Sequence, residues 1–183
     1  MPTFREMTDF FVSAGADSVE HSGKTYLAHA IGVHRDLGRW GGDEDMQRAG
    51  LFHSIYGTEL FQRFALPLNR RAELQELIGP RAEFLAYVNC VMDRASFDEA
   101  AQQSGGPYVV RSREIDGSVE TFELGEDVFR DLCTLHLCDW LEQVARSEHW
   151  DYRRGAYRQL AERLGGVALA EYDRVFGIPA RKP

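Results

Sequence analysis

Apolar side chains recur at spacings of three and four along most of this chain, and that period restricts it to a fold built mainly from helices. Residues 24–40 show the pattern most clearly, and Gly41 and Gly42 end it. Residues 126–146 form the longest segment with the same period. Because one face of an α-helix repeats about every 3.6 residues, these segments predict amphipathic helices. The sequence therefore predicts an all-α fold with residues 126–146 central to its core.

Shorter helical segments surround these two. Asp43 fits the N-cap of a helix that ends at Gly57, because its side chain can accept a hydrogen bond from a free backbone N–H. Pro80 fits the first turn of a helix that runs to residue 92, where a missing N–H costs nothing. The other predicted helical segments are residues 8–14, 69–78, 152–164 and 167–176.

One segment departs from the helical period. Residues 108–113 and 118–124 are rich in residues that favour strands, and they flank the dipeptide Asp116-Gly117. Asp-Gly is favoured in tight hairpin turns because glycine tolerates positive φ. A length of 183 residues is typical of one domain. We therefore predict a single domain over residues 1–183, with a small β-hairpin insertion at about 107–124.

Charge and composition narrow the classes of partner. The formal net charge is −8, from 29 acidic and 21 basic residues, and no basic run is longer than two residues. A polyanion-binding surface is therefore not indicated, and we expect no nucleic acid partner. Net charge does not describe a single cleft, so a local basic pocket for a small anionic substrate stays open.

The first residues and the cysteines indicate a cytoplasmic protein. Arg5, Glu6 and Asp9 interrupt the segment where a signal peptide needs an apolar run, and no apolar stretch reaches the ~18 residues of a membrane span. The three cysteines, an odd number without a CxxC pair, fit reduced thiols. We expect no membrane association, and the sequence leaves a monomer or a homo-oligomer open.

Three polar residues lie within otherwise apolar helical stripes: His29, His53 and Asp139. A carboxylate in the middle of a buried helix is costly without a partner. Neutral imidazoles and a carboxylate are suitable ligands for Zn, Fe or Mn, so one divalent metal ion would satisfy all three. Taken singly, each is more often a hydrogen-bonded structural residue, and spacing alone does not establish a metal site.

A resemblance adds weight to the metal site. The stretches LAHAIGVHRDLGRWGGDEDMQRAGLFHSIYG and LHLCDWLEQ resemble the metal-binding segments of the HD superfamily. The resemblance implies an HD-domain-like helical bundle, with His29 as the first ligand, His53 as the second and Asp139 as the last. The stretches AGLFHSIYGTELF, HSGKTYLAH and HLCDWLEQ are similar to a bacterial HD-like family of unassigned function.

Ser54 departs from the superfamily pattern, because it stands where the His-Asp dyad has its Asp. A serine hydroxyl is a poor, uncharged ligand, and the lost carboxylate is the group that bridges two metals in dinuclear members. One metal is therefore expected rather than two. Two His and one Asp would form a facial set of ligands with open positions, a pattern associated with Fe(II) and compatible with hydrolytic metals.

Three residues are candidates for proton transfer. His136 lies three residues before Asp139, so the two share a helix face. His21 precedes the helix of the first ligand and fits an acid or base at the mouth of the site. Tyr56 follows the second ligand at the expected helix exit. Glu142 lies three residues after Asp139, a position from which it could orient a ligand or pair with an arginine.

Four further residues are candidates for binding substrate. Lys24 lies near His21 and fits contact with an anion, and Arg71 fits recognition of phosphate or carboxylate. Ser54 and Thr58 flank the second ligand on its C-terminal side. For each of these, an ordinary cap, turn or ion pair is the competing interpretation.

Three functions stay open at this point. The first is a metal-dependent hydrolase that cleaves a phosphoester or related bond in a polar small molecule. The second is a mononuclear non-haem Fe(II) oxygenase, which the missing dyad Asp favours. The third is a non-catalytic module that binds a small ligand on an HD scaffold, and Ser54 supports that alternative.

Overall fold

Helices make up most of the computed structural model, which describes residues 2–16, 19–21 and 23–177. That part of the chain contains nine α-helices, two short 3-10 turns and two small antiparallel sheets. The helices are α1 Phe4–Ser13, α2 Tyr26–Arg39, α3 Glu44–Leu51, α4 Arg71–Ile78, α5 Pro80–Val91, α6 Arg94–Ala101, α7 Glu126–Gln143, α8 Arg154–Leu164 and α9 Gly166–Gly177. The predicted mostly helical fold is thus confirmed.

Polar side chains cap several of these helices, as their sequences indicate. Thr25 accepts a hydrogen bond from the backbone of Ala28 at the start of α2, and Asp43 does the same for Met46 in α3. Asp93 caps α6, a helix that the apolar period did not predict. The predicted N-cap at Asp43 and the predicted helix start at Pro80 are confirmed. Such caps pair backbone N–H groups that the helix itself leaves free.

Two short sheets interrupt the helices. β1 Glu20–His21 pairs with β2 Lys24–Thr25, which is why α2 begins two residues later than predicted. β3 Tyr108–Arg111 pairs with β4 Thr121–Leu124 in the predicted hairpin. Asp116 and Gly117 have φ of 51° and 76°, the positive values that the turn requires.

α7 lies at the centre of the helical core. It packs against α2, α3, α5, α8 and α9, so its side chains are buried around most of its circumference. This explains why its sequence is apolar on more than one face. The central position predicted for this segment is confirmed.

Glycines allow two close approaches that matter for the site. A Cβ at Gly50 in α3 would clash with Leu37 of α2, and one at Gly32 in α2 would lie 2.5 Å from an oxygen of Glu142 in α7. A side chain at either position would therefore force Leu37 or Glu142 to shift. None of the helices in the described residues has both the length and the apolar character needed to cross a membrane.

Candidate metal centre

Three side chains from separate parts of the chain meet in the core. His29 Nε2 lies 3.1 Å from His53 Nε2 and 3.0 Å from Asp139 Oδ1, and His53 Nε2 lies 3.2 Å from the same oxygen. All three residues are buried. We call His29, His53 and Asp139 the triad. Within the described residues, this is the group of His, Cys, Asp and Glu that has the geometry to hold a metal ion.

Local structure explains how each member reaches the centre. His29 lies in the first turn of α2 on the face that also buries Val33. His53 lies just after α3, which ends at Leu51, so the turn at residues 52–56 carries it instead of the longer helix predicted. Asp139 lies in α7, the buried central helix.

Both imidazoles of the triad are oriented by an acceptor at Nδ1. His29 Nδ1 lies 2.5 Å from Glu142 Oε2, and His53 Nδ1 lies 2.8 Å from the carbonyl oxygen of Gly50. A carbonyl or ionised carboxylate can only accept, so each Nδ1 carries the proton and each Nε2 presents a lone pair. Metal-binding histidines are commonly held in this way.

Glu142 is kept ionised by its surroundings. Burial opposes its ionisation, but the hydrogen bond to His29 and the cations of Lys24 and Arg146 outweigh it and lower the pKa of Glu142 to about 2. Lys24 Nζ lies 2.8 Å and Arg146 Nη2 lies 2.6 Å from its oxygens. Glu142 thus contacts His29 and pairs with Arg146, two of the contacts that its spacing from Asp139 left open.

Two Nε2 lone pairs and one carboxylate oxygen converge at the triad, so a proton or a metal ion between them would be favourable. With a proton in that role, the pKa of His29 is raised, because hydrogen bonds to Asp139 and Glu142 overcome the opposing effect of burial. The pKa of Asp139 lies well below its usual value: burial acts to raise it, but His53 and His29 outweigh burial. A divalent metal would satisfy all three acceptors at once.

The distances also fit a shared metal. Ligand atoms at about 2.1 Å from one ion, with angles near 90° between them, lie about 3.0 Å apart, whereas tetrahedral angles separate them by about 3.4 Å. The three edges of the triad measure 3.0–3.2 Å. The three atoms are therefore spaced closely enough to share one ion, and three protein ligands would leave further positions on it for substrate or water.

Ser54 and Gln143 flank the triad. The Ser54 hydroxyl lies 3.0 Å from His53 Nε2, where it can donate to the lone pair. Gln143 Nε2 donates to Asp139 Oδ1 at 2.8 Å and holds that carboxylate in place. Burial raises the pKa of the Tyr26 phenol well above its usual value, and Ser54 acts in the opposite direction.

A cleft of about 580 Å³ opens onto the triad at His53 and Asp139. Its other polar lining residues include Ser54, Thr58, Arg94, Gln143, Arg146 and His149. Thr58 is buried and accepts a hydrogen bond from the backbone of Phe61, so it also shapes the loop beside the cleft. Ser54 and Thr58 thus line the cleft, and their role in substrate binding stays a prediction.

His136 lies behind the triad rather than in the lining of this cleft. Its Nδ1 donates to Asn89 Oδ1 at 3.2 Å, and its Nε2 accepts from Arg153 at 3.0 Å. Tyr157 lies 3.3 Å from the same Nε2. Burial, Arg94 and Arg153 hold the pKa of His136 well below its usual value, so the imidazole is neutral. Its predicted role in proton transfer stays a prediction.

The other predicted residues are placed as follows. Tyr56 and Arg71 both donate to Glu83, at 2.9 Å and 2.7 Å, and neither lines the cleft. Lys24 is engaged by Glu142. His21 lies in β1, and its side chain is outside the described part of the structure.

Several cleft residues were missed from the sequence, among them Arg94, Arg146 and His149. Arg94 begins α6, and the signal for that helix was Asp93 at the N-cap position before Phe97 and Ala100. Arg146 lies four residues after Glu142, a spacing that brings side chains together at the end of a helix. For His149, which follows the last turn, no local pattern indicated a place at the site.

Comparisons with known proteins give a partial match. Residues 10–94 match the sequence profile of a domain of unknown function (DUF6817). That segment includes His29 and His53 but ends before α7, which carries Asp139 and Glu142. No curated protein matches the chain. No solved structure matches it either.

Proposed function

We propose that this chain is a metal-dependent enzyme that acts on a polar small molecule, most readily by hydrolysis of a phosphoester or related bond. His29, His53 and Asp139 would hold one divalent ion. The observation that carries the proposal is the convergence of two oriented Nε2 lone pairs and a carboxylate oxygen at 3.0–3.2 Å. An HD-like bundle is part of the proposal, because the three residues implied by that resemblance meet in one place.

A single metal is favoured by the composition of the site. Ser54 contributes a neutral hydroxyl where a second carboxylate would otherwise be available to bridge two ions. Glu142 is not free to take that role, because His29, Lys24 and Arg146 already share its oxygens. The protein therefore offers three ligand atoms to one ion.

Bound metal would polarise a substrate oxygen and lower the pKa of a bound water. The chain's own residues prepare the site for this. Glu142 keeps the proton of His29 on Nδ1, and Gln143 holds the Asp139 carboxylate. Because His53 Nε2 cannot serve a metal and the Ser54 hydroxyl together, metal binding would release that hydroxyl to contact a substrate oxygen.

A second candidate is a mononuclear Fe(II) oxygenase. Two histidines and one carboxylate on one face of the coordination sphere are the donor set of that enzyme class. The triad supplies two imidazoles and one carboxylate whose ligand atoms lie 3.0–3.2 Å apart. Hydrolysis ranks first because the cleft presents Arg94 and Arg146, which suit an anionic leaving or reacting group.

Metal analysis of matched variants tests the proposal. Protein purified without chelator and reconstituted in turn with Fe(II), Mn(II) and Zn(II) should bind one ion per chain. His29→Gln should lose it, and His34→Gln should retain it, because His34 lies on the same helix and contacts Phe4 instead of the triad. If the reconstituted wild type binds no stoichiometric metal, the proposal of a metal-dependent enzyme is refuted.

Turnover then separates the candidates. Hydrolysis of phosphomonoester probes under anaerobic conditions with Mn(II) or Zn(II) supports the hydrolase, and O2 consumption that requires Fe(II) supports the oxygenase. His53→Gln should abolish either activity. Full activity in that variant would overturn both candidates, and metal binding without turnover of either kind would favour a ligand-binding module.

A further inference from the structure

Arg94 is a charged residue buried beside the triad. Its exposed fraction is 7%, yet it lines the cleft that opens onto His53 and Asp139. As the first residue of α6 it is held by the backbone, whose N–H donates to Glu59 at 3.2 Å. The side chain is therefore anchored at its base and ends in the cleft.

The guanidinium of Arg94 has few partners for a buried cation. It donates to the Tyr157 hydroxyl at a long 3.4 Å, and no carboxylate of the described residues forms an ion pair with it. Glu59 contacts its backbone instead of its side chain. A guanidinium has five N–H donors, so most of the hydrogen-bonding capacity of Arg94 is unused.

Other arginines of similar depth are neutralised. Arg48 has the same exposed fraction of 7%, and it pairs with Glu44 at 3.2 Å and Asp45 at 2.7 Å. Arg153 shares the Tyr157 hydroxyl with Arg94, but its Nε donates to Asp98 at 3.0 Å. Arg94 therefore differs from both in lacking an acidic partner.

A buried charge without a counterion is costly, and the cost is removed when an anion of suitable shape binds. The planar fork of a guanidinium matches the oxygen pair of a phosphate or carboxylate. Because Arg94 lies in the wall of the cleft, an anion can reach its guanidinium through the cleft.

We propose that Arg94 is the anion-binding residue of the cleft, and that the substrate carries an oxyanion group, phosphate or carboxylate, that pairs with its guanidinium. The statement about the substrate rests on the proposed metal-dependent enzyme. The statement about anion binding concerns the protein itself and is testable without metal. Arg71, expected from the sequence to have this role, is instead held by Glu83.

Titration of the full chain with inorganic phosphate and, separately, with acetate tests the proposal, using both metal-depleted and metal-loaded protein. At least one anion should bind the wild type in both forms. Arg94→Gln should weaken its affinity at least tenfold, and Arg94→Lys, which keeps the charge without the fork, should weaken it less. The control is Arg63→Gln, whose exposed side chain lies at the same cleft and pairs with Glu20, and it should leave affinity unchanged.

Thermal unfolding distinguishes an anion site from a structural arginine. In buffer without phosphate or carboxylate, Arg94→Met should keep or raise the Tm, because it removes an uncompensated buried charge. The anion-induced rise in Tm should disappear in that variant. Arg48→Met should lower the Tm, because it leaves Glu44 and Asp45 without their partner. A fall for Arg94→Met as large as that for Arg48→Met would overturn the proposal.

The outcomes test the anion site at Arg94 separately from the proposed metal-dependent enzyme. Absence of binding for both anions, or equal binding by Arg94→Gln and wild type, refutes the anion site and leaves the metal result intact. Arg94-dependent binding in a protein that takes up no metal supports the anion site and refutes the enzyme. Preference for phosphate over acetate, or the reverse, identifies which oxyanion the cleft accepts.

Discussion

His29 and His136 are both completely buried, but their surroundings give them opposite properties. His29 faces acceptors on both nitrogens, and the pKa of its imidazole is raised despite burial. His136 faces Arg153 on one nitrogen and the Asn89 oxygen on the other, and its pKa is lowered by burial and by arginines. Burial therefore does not identify a metal ligand, whereas the charge and polarity of the neighbours do.

The two regions are also connected. We call His136, Asn89, Arg153 and Tyr157 the His136 cluster. Asn89 accepts from His136 and donates to the carbonyl oxygen of His53 at 2.9 Å. The cluster thus supports the turn that carries His53 of the triad, and its polar groups satisfy one another without a metal.

Removing the triad carboxylate should have the largest effect. Asp139→Asn keeps the size of the side chain but replaces an anionic ligand by a neutral amide, so metal affinity should fall by more than about 100-fold. Competition with a chromophoric chelator measures this. Asp98→Asn, in the salt bridge with Arg153 near the His136 cluster, is the matched control and should retain metal within about threefold. Equal affinity in both variants would contradict the assignment of the triad.

Neutralising Glu142, which contacts His29 of the triad, should have an intermediate effect on metal affinity. Glu142→Gln can still accept from His29 but loses the charge that orients it, and metal affinity should fall about 10- to 100-fold. Glu148→Gln alters an exposed carboxylate at the same cleft and should leave the affinity unchanged. The same chelator competition applies, and an unaltered affinity for Glu142→Gln would remove that residue from the site.

Changing the His136 cluster should affect stability more than metal binding. His136→Leu removes one buried hydrogen-bond partner from Asn89 Oδ1 and one from the Tyr157 hydroxyl, which costs about 1–3 kcal/mol in the free energy of unfolding. Denaturant unfolding measures the loss, and His34→Leu should change stability by only about 0.5 kcal/mol. A folded, metal-loaded His136→Leu protein with no turnover would instead support the predicted proton transfer.

The smallest expected effect is on how the free energy of unfolding changes with pH. The folded pKa of His136 lies below its usual 6.5, so the unfolded chain takes up a proton first as the pH falls. Its contribution to stability is full above about pH 6.5 and is lost as pH falls toward the folded pKa, by up to about 1.4 kcal/mol per pH unit. Denaturant unfolding of the metal-free proteins between pH 7 and pH 5 should therefore show a shallower loss for His136→Leu than for the wild type. Parallel slopes would contradict a neutral buried His136.

Local patterns in the sequence were enough for most of the secondary structure. The period of residues 126–146 predicted α7, Asp43 and Pro80 marked helix starts, and Asp116-Gly117 marked the hairpin. Each depends on interactions within a few residues. The helix α6 was missed because it has only eight residues and buries two apolar side chains, Phe97 and Ala100, although Asp93 was a usable cap.

The sequence by itself determined most of the helical segments and placed His29, His53 and Asp139 within apolar stripes on helix faces. The tertiary structure decided which of those faces meet: His29 and Asp139 are 110 positions apart, and Arg94 and Tyr157 are 63 apart. Helical period restricts the face that a residue occupies, but packing between helices selects its partner. For that reason His29 faces hydrogen-bond acceptors, and His136 faces an acceptor on one nitrogen and a donor on the other. Within the described residues, the Arg94 guanidinium donates only to the Tyr157 hydroxyl, at 3.4 Å.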